Sequence, residues 1–408
     1  MNDLTRNTLL IFSTVLPLLA ATAADAPVTP VEYRVQLDVV SEGYDGKFCW
    51  FHPRAGAIPG PTPTVVLTLQ RWRLAASDVF YPVSSQWTRD LGKTWTQPVE
   101  HTATLGRHPL PNGHEEGICD FTPKWHTRTR TLLGTGHTVY YNENDKLVKV
   151  RPRATVWSTY DPAAETWSPW TALKMPAEPR FNCAGAGSTQ RVDLDNGDVL
   201  LPIYSKEMNE KAYFTTVVRC AFDGKTLSYA QHGSELKVDI DRGLYEPSLA
   251  KFGGRYFLTM RNDRAAYVSA SDDGLHFHEP RTWSFDDGTD LGSYNTQAHW
   301  VTHADGLFLT YTRRGANNDN VARHRAPLFL AQVDPTRLVV IRATEREIVP
   351  NKGAQLGNFA VVDVSADETW VTTSEGMSPG EPQKFGANGR VYAARIQWAK
   401  PNSAWDRH

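Results

Sequence analysis

The chain has 408 residues and a formal net charge of -2 at pH 7, with 43 Lys and Arg against 45 Asp and Glu. This balance lacks the basic excess that a nucleic-acid footprint requires, so no nucleic-acid partner is predicted. Aromatic residues make up 11% of the chain. That content permits stacking on sugar rings, although most aromatic residues serve as strand and core residues.

The first 24 residues have the pattern of a secretory signal peptide. An apolar run from Leu9 to Ala20 follows Arg6, and small residues continue to Ala24, which gives an A-x-A cleavage pattern. The run is shorter than the roughly 20 apolar residues that a membrane-spanning helix needs. We therefore predict a signal peptide over residues 1–24, a single domain over residues 25–408, no membrane span, and a secreted or periplasmic protein.

Four cysteines are spread widely along the chain, at Cys49, Cys119, Cys183 and Cys220. In an exported protein four thiols allow three disulfide pairings, and we expect buried unpaired thiols or one stray disulfide. The sequence contains no C-x-x-C spacing, no P-loop and no dinucleotide-binding pattern. We predict no metal ligands and no cofactor, and leave open only a structural calcium ion.

Six short apolar segments rich in β-forming residues recur at spacings of about 51 to 68 residues. They lie at residues 65–70, 132–137, 200–205, 256–261, 307–312 and 369–374. A short strand that recurs at this period is typical of a β-propeller with one four-stranded blade per repeat. We therefore predict an all-β fold with a propeller architecture.

Equivalent strands of a propeller run past the axis in the same direction, so their ends converge at one mouth. The residues at or just beyond these ends are Gln70, His137, Tyr204, Arg261, Arg313 and Glu375. A ring of such polar groups is what a ligand site requires. The alternative is a water-filled channel in which polar side chains have no further role.

Two segments resemble the Asp-box turn S/T-x-D-x-G-x-T-W, and both indicate a sialidase-like propeller. Residues 88–95 fit it with Asp90 as the capping carboxylate, and residues 270–277 fit it with Ala270 first and Asp272 as the cap. Residues 160–167 form a degenerate third copy. In such turns the aspartate caps the turn and glycine permits a positive φ, so their role is structural.

Several stretches combine residue types that bind or transform acidic sugars. The candidate substrate-binding residues are Arg54, His126, His137, Tyr204, Arg219, Tyr245, Arg261 and His299. Arginine binds a carboxylate through two parallel hydrogen bonds, and histidine transfers protons near neutral pH. For any one histidine a hydrogen-bonded structural role is the alternative.

Four motifs together resemble glycoside hydrolase family 145. They are FCWFHPR at 48–54, GICDFTPKWH at 117–126, YNTQAHW at 294–300 and RRGANND at 313–319. The resemblance implies a sialidase-like propeller of seven blades, one more than the repeats counted above. It also implies an exo-α-L-rhamnosidase that hydrolyses L-rhamnose-α-1,4-D-glucuronate caps of arabinogalactan, and hence a glycan partner that contains uronic acid.

In that family a histidine near the N-terminus carries hydrolysis, on the face opposite the usual propeller mouth. His52 matches it, and we take it as the catalytic residue, with Arg54 orienting the glucuronate. The related rhamnose–glucuronate lyases use a His/Tyr/Arg site at the other mouth, where His137, Tyr204 and Arg219 are the matching residues. β-Elimination by such a lyase is the first alternative function.

Two further alternatives are an exo-α-sialidase and a non-catalytic glycan-binding propeller. Glu246 lies 15 residues before Arg261, a spacing that resembles the one in sialidases. However, the chain has no R-I-P motif near its start and no evident tyrosine nucleophile near its C-terminus.

Overall fold

A computed structural model describes residues 28–74 and 78–405 of the chain. Within these residues the strands form six antiparallel sheets, and each sheet is one blade of a propeller. The signal peptide predicted for residues 1–24 lies outside the described residues. No helix of the described part is long and apolar enough to cross a membrane.

The first strand, β1 (Tyr33–Glu42), precedes the first complete blade and belongs to the last one. The first blade contains β2 (Phe48–Ile58), β3 (Thr64–Arg73), β4 (Phe80–Thr88) and β5 (Val99–Glu100). A short helix, α1 (Thr102–Leu105), leads to the second blade, which contains β6 (His108–Pro109), β7 (Glu115–His126), β8 (Thr131–Tyr141), β9 (Thr155–Asp161), β10 (Thr166–Trp167) and β11 (Thr171–Ala172).

The third blade contains β12 (Val192–Asp193), β13 (Val199–Ser205), β14 (Phe214–Phe222) and β15 (Leu227–His232). The fourth contains β16 (Tyr245–Phe252), β17 (Arg255–Arg261), β18 (Tyr267–Ser271) and β19 (Arg281–Thr282). The fifth contains β20 (His299–His303), β21 (Gly306–Tyr311), β22 (Leu328–Asp334), β23 (Val339–Val340) and β24 (Arg346–Val349). The sixth contains β25 (Ala360–Ser365), β26 (Glu368–Ser374) and β27 (Arg390–Trp398).

Four short 3-10 turns connect these elements, at Pro179–Phe181, Ala322–His324, Arg342–Thr344 and Pro382–Phe385. The ring is closed by the two ends of the chain. Strand β1 pairs antiparallel with β27, from Tyr33 opposite Trp398 to Glu42 opposite Arg390. This pairing supplies the fourth strand of the sixth blade and leaves no gap between the first blade and the last.

The propeller predicted from the strand period is confirmed. Each of the six repeated apolar segments lies on an interior strand of a blade, paired on both sides, namely on β3, β8, β13, β17, β21 and β26. These strands are buried along nearly their whole length because each is covered by the neighbouring blades. The seventh blade implied by the family resemblance is wrong, since the described residues form six.

The first Asp-box has the predicted geometry. Asp90 accepts hydrogen bonds from the Thr94 amide at 2.9 Å and the Thr94 hydroxyl at 2.7 Å. Gly92 has a φ of +81°. The second turn differs from the predicted register by one residue, because Asp273 and not Asp272 is the cap. Asp273 accepts from the amides of residues 275 and 276 at 2.8 and 2.7 Å.

Apolar side chains pack between neighbouring blades in several clusters, so the core is distributed around the ring. The four cysteines are buried and form no disulfide with one another, which agrees with the expectation of unpaired thiols. Burial raises the pKa of Cys49 and of Cys220 to about 12. These two thiols are therefore protonated and act as small apolar core groups.

Candidate functional site

Five residues that lie on the inner strands of the first five blades or shortly before them have left-handed backbone conformations, and we call them the axial ring. They are His52 (φ 52°), Asp120 (φ 54°), Ser188 (φ 57°), Glu246 (φ 46°) and Asn295 (φ 48°). In the first, second and fourth blades the strand register shifts at this position, as at a β-bulge. A bulge re-aims side chains, and non-glycine residues with such backbones concentrate at functional sites.

Asp120 is the centre of one half of this ring. Its Oδ1 accepts hydrogen bonds from Arg54 Nη2 and from Ser188 Oγ, each at 2.6 Å. His52 Nε2 lies 3.3 Å from Oδ1, and His137 Nε2 lies 3.4 Å from Oδ2. Burial raises the pKa of Asp120, but the neighbouring His52 and Arg54 outweigh it and hold the pKa well below its ordinary value. The carboxylate is therefore ionised, with 14% of the side chain exposed.

His137 lies beside Asp120 as a neutral imidazole. Burial lowers its pKa, and the charge of Arg153 lowers it further. Its Nδ1 lies 2.9 Å from the carbonyl oxygen of Thr138, which only an N–H can approach, so Nδ1 has the proton. Nε2 is therefore unprotonated, and the Cys119 thiol, with Sγ 3.5 Å away, is the group that can donate to it.

His52 is only 5% exposed. Its ring packs at 5.0 Å from the ring of Phe51 and at 4.5 Å from that of Phe80. Burial lowers its pKa, and Asp120 offsets part of that shift. His52 thus contacts the carboxylate of Asp120 from behind and offers almost no surface to a ligand.

Three tyrosines connect Asp120's neighbourhood to the fourth blade. The ring of Tyr204 lies 6.2 Å from those of His137 and Tyr245 and 5.2 Å from that of Tyr213. The guanidinium of Arg153 lies over Tyr204 at 5.0 Å. This wall of aromatic rings with a cation above it resembles, in its chemistry, a surface on which a sugar stacks.

The other half of the ring contains an arginine cluster, which we define as Arg242, Arg261, Arg323 and Arg325. Arg261 donates to both oxygens of Glu246, at 2.7 and 2.6 Å, and to Asn295 Oδ1 at 2.6 Å.

Arg325 Nη2 donates to the carbonyl oxygen of Asn295 at 2.7 Å. Burial, followed by the charges of Arg261 and Arg323, lowers the pKa of Arg325 to about 9. Among the described residues neither Arg323 nor Arg325 has a carboxylate partner. The cluster therefore has more positive than negative charge.

Six of the residues predicted from the sequence lie at the end of the axis where the axial ring sits, which we call the axial mouth. They are His52, Arg54, His137, Tyr204, Tyr245 and Arg261. The structure does not keep His52 and His137 on opposite faces, as the resemblance implied, because both contact Asp120. The inner strands all begin at the same face, so corresponding residues of neighbouring blades meet there.

The other three predicted residues lie elsewhere. His126 is at the far end of β7, where its Nε2 lies 3.0 Å from the carbonyl oxygen of Gly197. Arg219 lies on β14 and pairs with Asp198. Its backbone pairs with residue 200, four residues along β13 from Tyr204.

His299 is buried inside the ring, with Nδ1 2.6 Å from Ser248 Oγ. Burial, with a smaller effect of Arg54, lowers its pKa to about 3. The surroundings of these three residues are those of structural side chains.

Sequence reasoning missed Asp120, Ser188, Arg153 and Arg325. The period itself held a signal for two of them, since Asp120 and Ser188 follow His52 at successive intervals of 68 residues. Arg153 and Arg325 lie in connections between strands, where no periodic pattern distinguishes one arginine from another.

A metal ion has one candidate location among the described residues. Ligand atoms of Cys119, Asp120 and His137 lie within 4.8 Å of one another. This donor set would suit zinc and not calcium, which takes six to eight oxygen ligands. However, Asp120 already accepts from the Arg54 guanidinium, so its charge is balanced without a cation. These residues do not fit the calcium ion that the sequence left open.

No family model matches the chain, and no curated protein matches it. Solved structures do match. A protein of unknown function from Dyadobacter fermentans is 15% identical, with a TM-score of 0.61 over 89% of this chain and 99% of that one. Trypanosoma rangeli sialidase is 14% identical, with a TM-score of 0.58, and NanB sialidase from Streptococcus pneumoniae is 9% identical, with a TM-score of 0.60.

The chain covers 55% of the length of the Trypanosoma rangeli sialidase and 70% of NanB, while 86% and 88% of this chain is matched. It therefore spans about half of the trypanosomal protein. At these identities the likeness shows the fold alone. The sialidase-like propeller predicted from the strand period and the Asp-boxes is confirmed.

Proposed function

We propose that this chain is a carbohydrate-active enzyme that holds the carboxylate of an acidic sugar at the axial mouth and hydrolyses the neighbouring glycosidic bond. The observation that carries the proposal is the excess of positive charge in the arginine cluster. Arg323 and Arg325 have no carboxylate partner in the described part of the chain, and Arg325 is buried beside Arg261. A buried guanidinium without an anion is costly, and a substrate carboxylate would remove that cost.

A carboxylate fits the cluster because guanidinium groups donate two parallel hydrogen bonds to its oxygens. Arg261 and Arg325 are already oriented by Asn295, through its side-chain oxygen and its carbonyl oxygen respectively. Pre-orientation lowers the entropic cost of binding. Of the three tyrosines beside them, Tyr213 is partly exposed and offers a face for the sugar ring, while Tyr204 and Tyr245 are buried behind it.

Asp120 is the group best suited to proton transfer in hydrolysis. It is ionised and partly exposed, and Arg54, Ser188 and His52 hold its orientation. An oriented carboxylate can accept a proton from an attacking water as the glycosidic bond breaks, and can pass that proton to the departing sugar oxygen. In this proposal His52 is a positioning residue behind Asp120, and the sugar does not contact it.

For the substrate we propose the L-rhamnose-α-1,4-D-glucuronate caps of arabinogalactan, as the family resemblance implies. The glucuronate of this cap supplies a carboxylate that can bind to the arginine cluster. Secretion or export to the periplasm would bring the enzyme to such a glycan.

β-Elimination is a second candidate, and the state of His137 favours it. A neutral imidazole with an unprotonated Nε2 can remove the proton beside a uronate carboxylate. Nearby guanidinium groups would stabilise the negative charge that develops on that carboxylate. Tyr204, 6.2 Å from His137 ring to ring, could then supply a proton to the leaving oxygen.

Incubation of the purified protein with gum arabic tests both reactions. Hydrolysis releases L-rhamnose and leaves saturated glucuronate, whereas elimination produces an unsaturated uronate that absorbs ultraviolet light. Sialyllactose serves as the comparison substrate, since a carboxylate-binding mouth of this fold could also accept sialic acid. Release of rhamnose without new absorbance supports the proposal, and no product from any of these acidic glycans contradicts it.

A further inference from the structure

A small pocket between the second and third blades opens beside the axial mouth. It has a volume of about 50 Å³ and is lined by Lys149, Val150, Arg151, Arg153, Cys183, Lys206, Met208 and Tyr213. We call it the cationic pocket, because four of its eight lining residues are Lys or Arg and none is acidic. Pockets for whole small molecules measure about 300–1,000 Å³, so this one has room for a single small group.

The charges of this pocket are not balanced by the protein. Within the described residues, none of its four cations forms a salt bridge with a carboxylate. Arg153 donates to the hydroxyl of Tyr213 at 3.1 Å, and Arg151 and Lys206 donate to backbone carbonyl oxygens. The Nε atoms of Arg151 and Arg153 are buried and have no partner.

Burial and the charge of Arg153 together lower the pKa of Arg151. Like charges held this close without a counter-charge are unfavourable, and a bound anion would reverse the sign of that interaction. The polar atoms that remain unpaired are all donors, which only an acceptor can satisfy. The unpaired donors and the unbalanced positive charge therefore favour binding of an oxyanion in this pocket.

The pocket is next to the mouth proposed above for the substrate. Arg153 belongs to both, since its guanidinium lies over the ring of Tyr204, which in turn contacts His137. Tyr213 also lines the pocket and lies 6.1 Å from the ring of Tyr245. A glycan held at the mouth could therefore extend over the tyrosine wall into the pocket.

We propose that the cationic pocket is a second anion subsite, which binds a carboxylate or sulfate on a neighbouring sugar of the same glycan. This inference rests on the proposed function for the identity of the ligand. It predicts a preference for glycans with at least two anionic groups over those with one. The first anion binds at the axial mouth, and the second binds in the cationic pocket.

Binding measurements can separate the pocket from the mouth. The probes are D-glucuronic acid, a heparin-derived tetrasaccharide and sodium sulfate, the last compared with sodium chloride at matched ionic strength. The pocket variant is Arg151→Gln with Lys206→Gln, the mouth variant is Arg325→Gln, and the control is Arg219→Gln. Near-ultraviolet circular dichroism verifies that each variant is folded.

We expect the pocket variant to weaken tetrasaccharide binding by at least about tenfold, the size expected for losing a charged hydrogen bond, while glucuronic acid binding is unchanged. We also expect sulfate to raise the Tm of the wild type and the control but not of the pocket variant. Unchanged tetrasaccharide affinity in the pocket variant would overturn the subsite. If sulfate stabilisation depends on the pocket while no glycan binds or is cleaved, the anion site stands and the proposed function fails.

Discussion

Arg54 and Asp120 form an ion pair between the first two blades, with 2.6 Å between Arg54 Nη2 and Asp120 Oδ1. The same nitrogen also donates to Ser188 Oγ in the third blade at 2.8 Å. One buried guanidinium therefore connects three blades at the axis and fixes the carboxylate on which the proposed hydrolysis depends. Stability and activity are consequently coupled at this point.

The first prediction concerns Asp120→Asn. Removing the carboxylate leaves Arg54 buried without a counter-charge, which typically costs about 3–5 kcal/mol in the free energy of unfolding. We expect that loss in urea denaturation, together with loss of glycan cleavage. Asp198→Asn, in the turn before β13 where the carboxylate pairs with the partly exposed Arg219, is the matched control and should lose neither. An Asp120→Asn protein with normal stability would show that the ion pair does not hold the blades together.

The pH dependence of this pair has a defined sign. The folded-state pKa of Asp120 is depressed, so its stabilising contribution is complete above the unfolded value near 3.9 and is lost as the pH falls below it. We expect the acid unfolding curve of the wild type below pH 4 to be steeper than that of Asp120→Asn. Urea midpoints measured from pH 5 to pH 2 give the comparison.

Burial of His299 leads us to expect a second pH dependence of the free energy of unfolding, at milder acidity. Its folded-state pKa is about 3, against about 6.5 in the unfolded chain, so the unfolded chain binds more protons below pH 6.5. The free energy of unfolding should fall by about 2 kcal/mol between pH 6.5 and pH 5 from this group alone. His299→Gln should remove that slope, and the exposed His276→Gln should keep it. Equal slopes in all three proteins would contradict the prediction.

Arg325→Gln tests the carboxylate site. Loss of a charged hydrogen bond of about 1.5–3 kcal/mol predicts a kcat/KM lower by about 10- to 150-fold on a uronate-containing glycan. The effect should be mainly in KM, because the carboxylate is present in the bound substrate as well as in the transition state. Arg219→Gln is the control, and we expect it to behave as the wild type. A large loss of kcat/KM in Arg219→Gln, with none in Arg325→Gln, would show that the carboxylate does not bind at the arginine cluster.

His52→Gln separates a positioning role from a catalytic one. A general acid or base contributes about 10²–10⁴-fold to the rate. Because His52 is buried behind Asp120, we expect a smaller loss, with glutamine still able to donate to the carboxylate. A loss of three orders of magnitude with a normal Tm would restore His52 as the residue that contacts the sugar.

The sequence predicted the fold well because a propeller repeats one strand pattern. Leu132, Leu200 and Leu307 mark equivalent buried strands, and that periodicity survives large differences in the loops. The same count gives six repeats, in agreement with the six blades, but the prediction of seven blades, which followed the resemblance, is wrong. The general Asp-box pattern predicts Asp272 as the cap, whereas Asp273 is the cap because this turn is one residue shorter than the pattern.

The site was harder to predict because its residues belong to different blades and lie close together only in the folded propeller. His52 and Asp120 are 68 residues apart in the sequence but 3.3 Å apart in space. The resemblance to the lyases implies that Arg219 lies beside Tyr204, yet Arg219 lies farther along the paired strand and pairs with Asp198. Single residues on the connections, such as Arg153 and Arg325, make their contacts with neighbouring blades, and the local sequence does not indicate those contacts.

The pairing of β1 with β27 also determines when this protein can finish folding. Strand β1 is synthesised before every other described strand and β27 after them, so the ring cannot close until β27 has been made. Until then β1 and β26 each present an unpaired edge that other chains could join. A truncated chain that lacks β27 would retain both edges, and we expect it to aggregate instead of forming a five-bladed propeller.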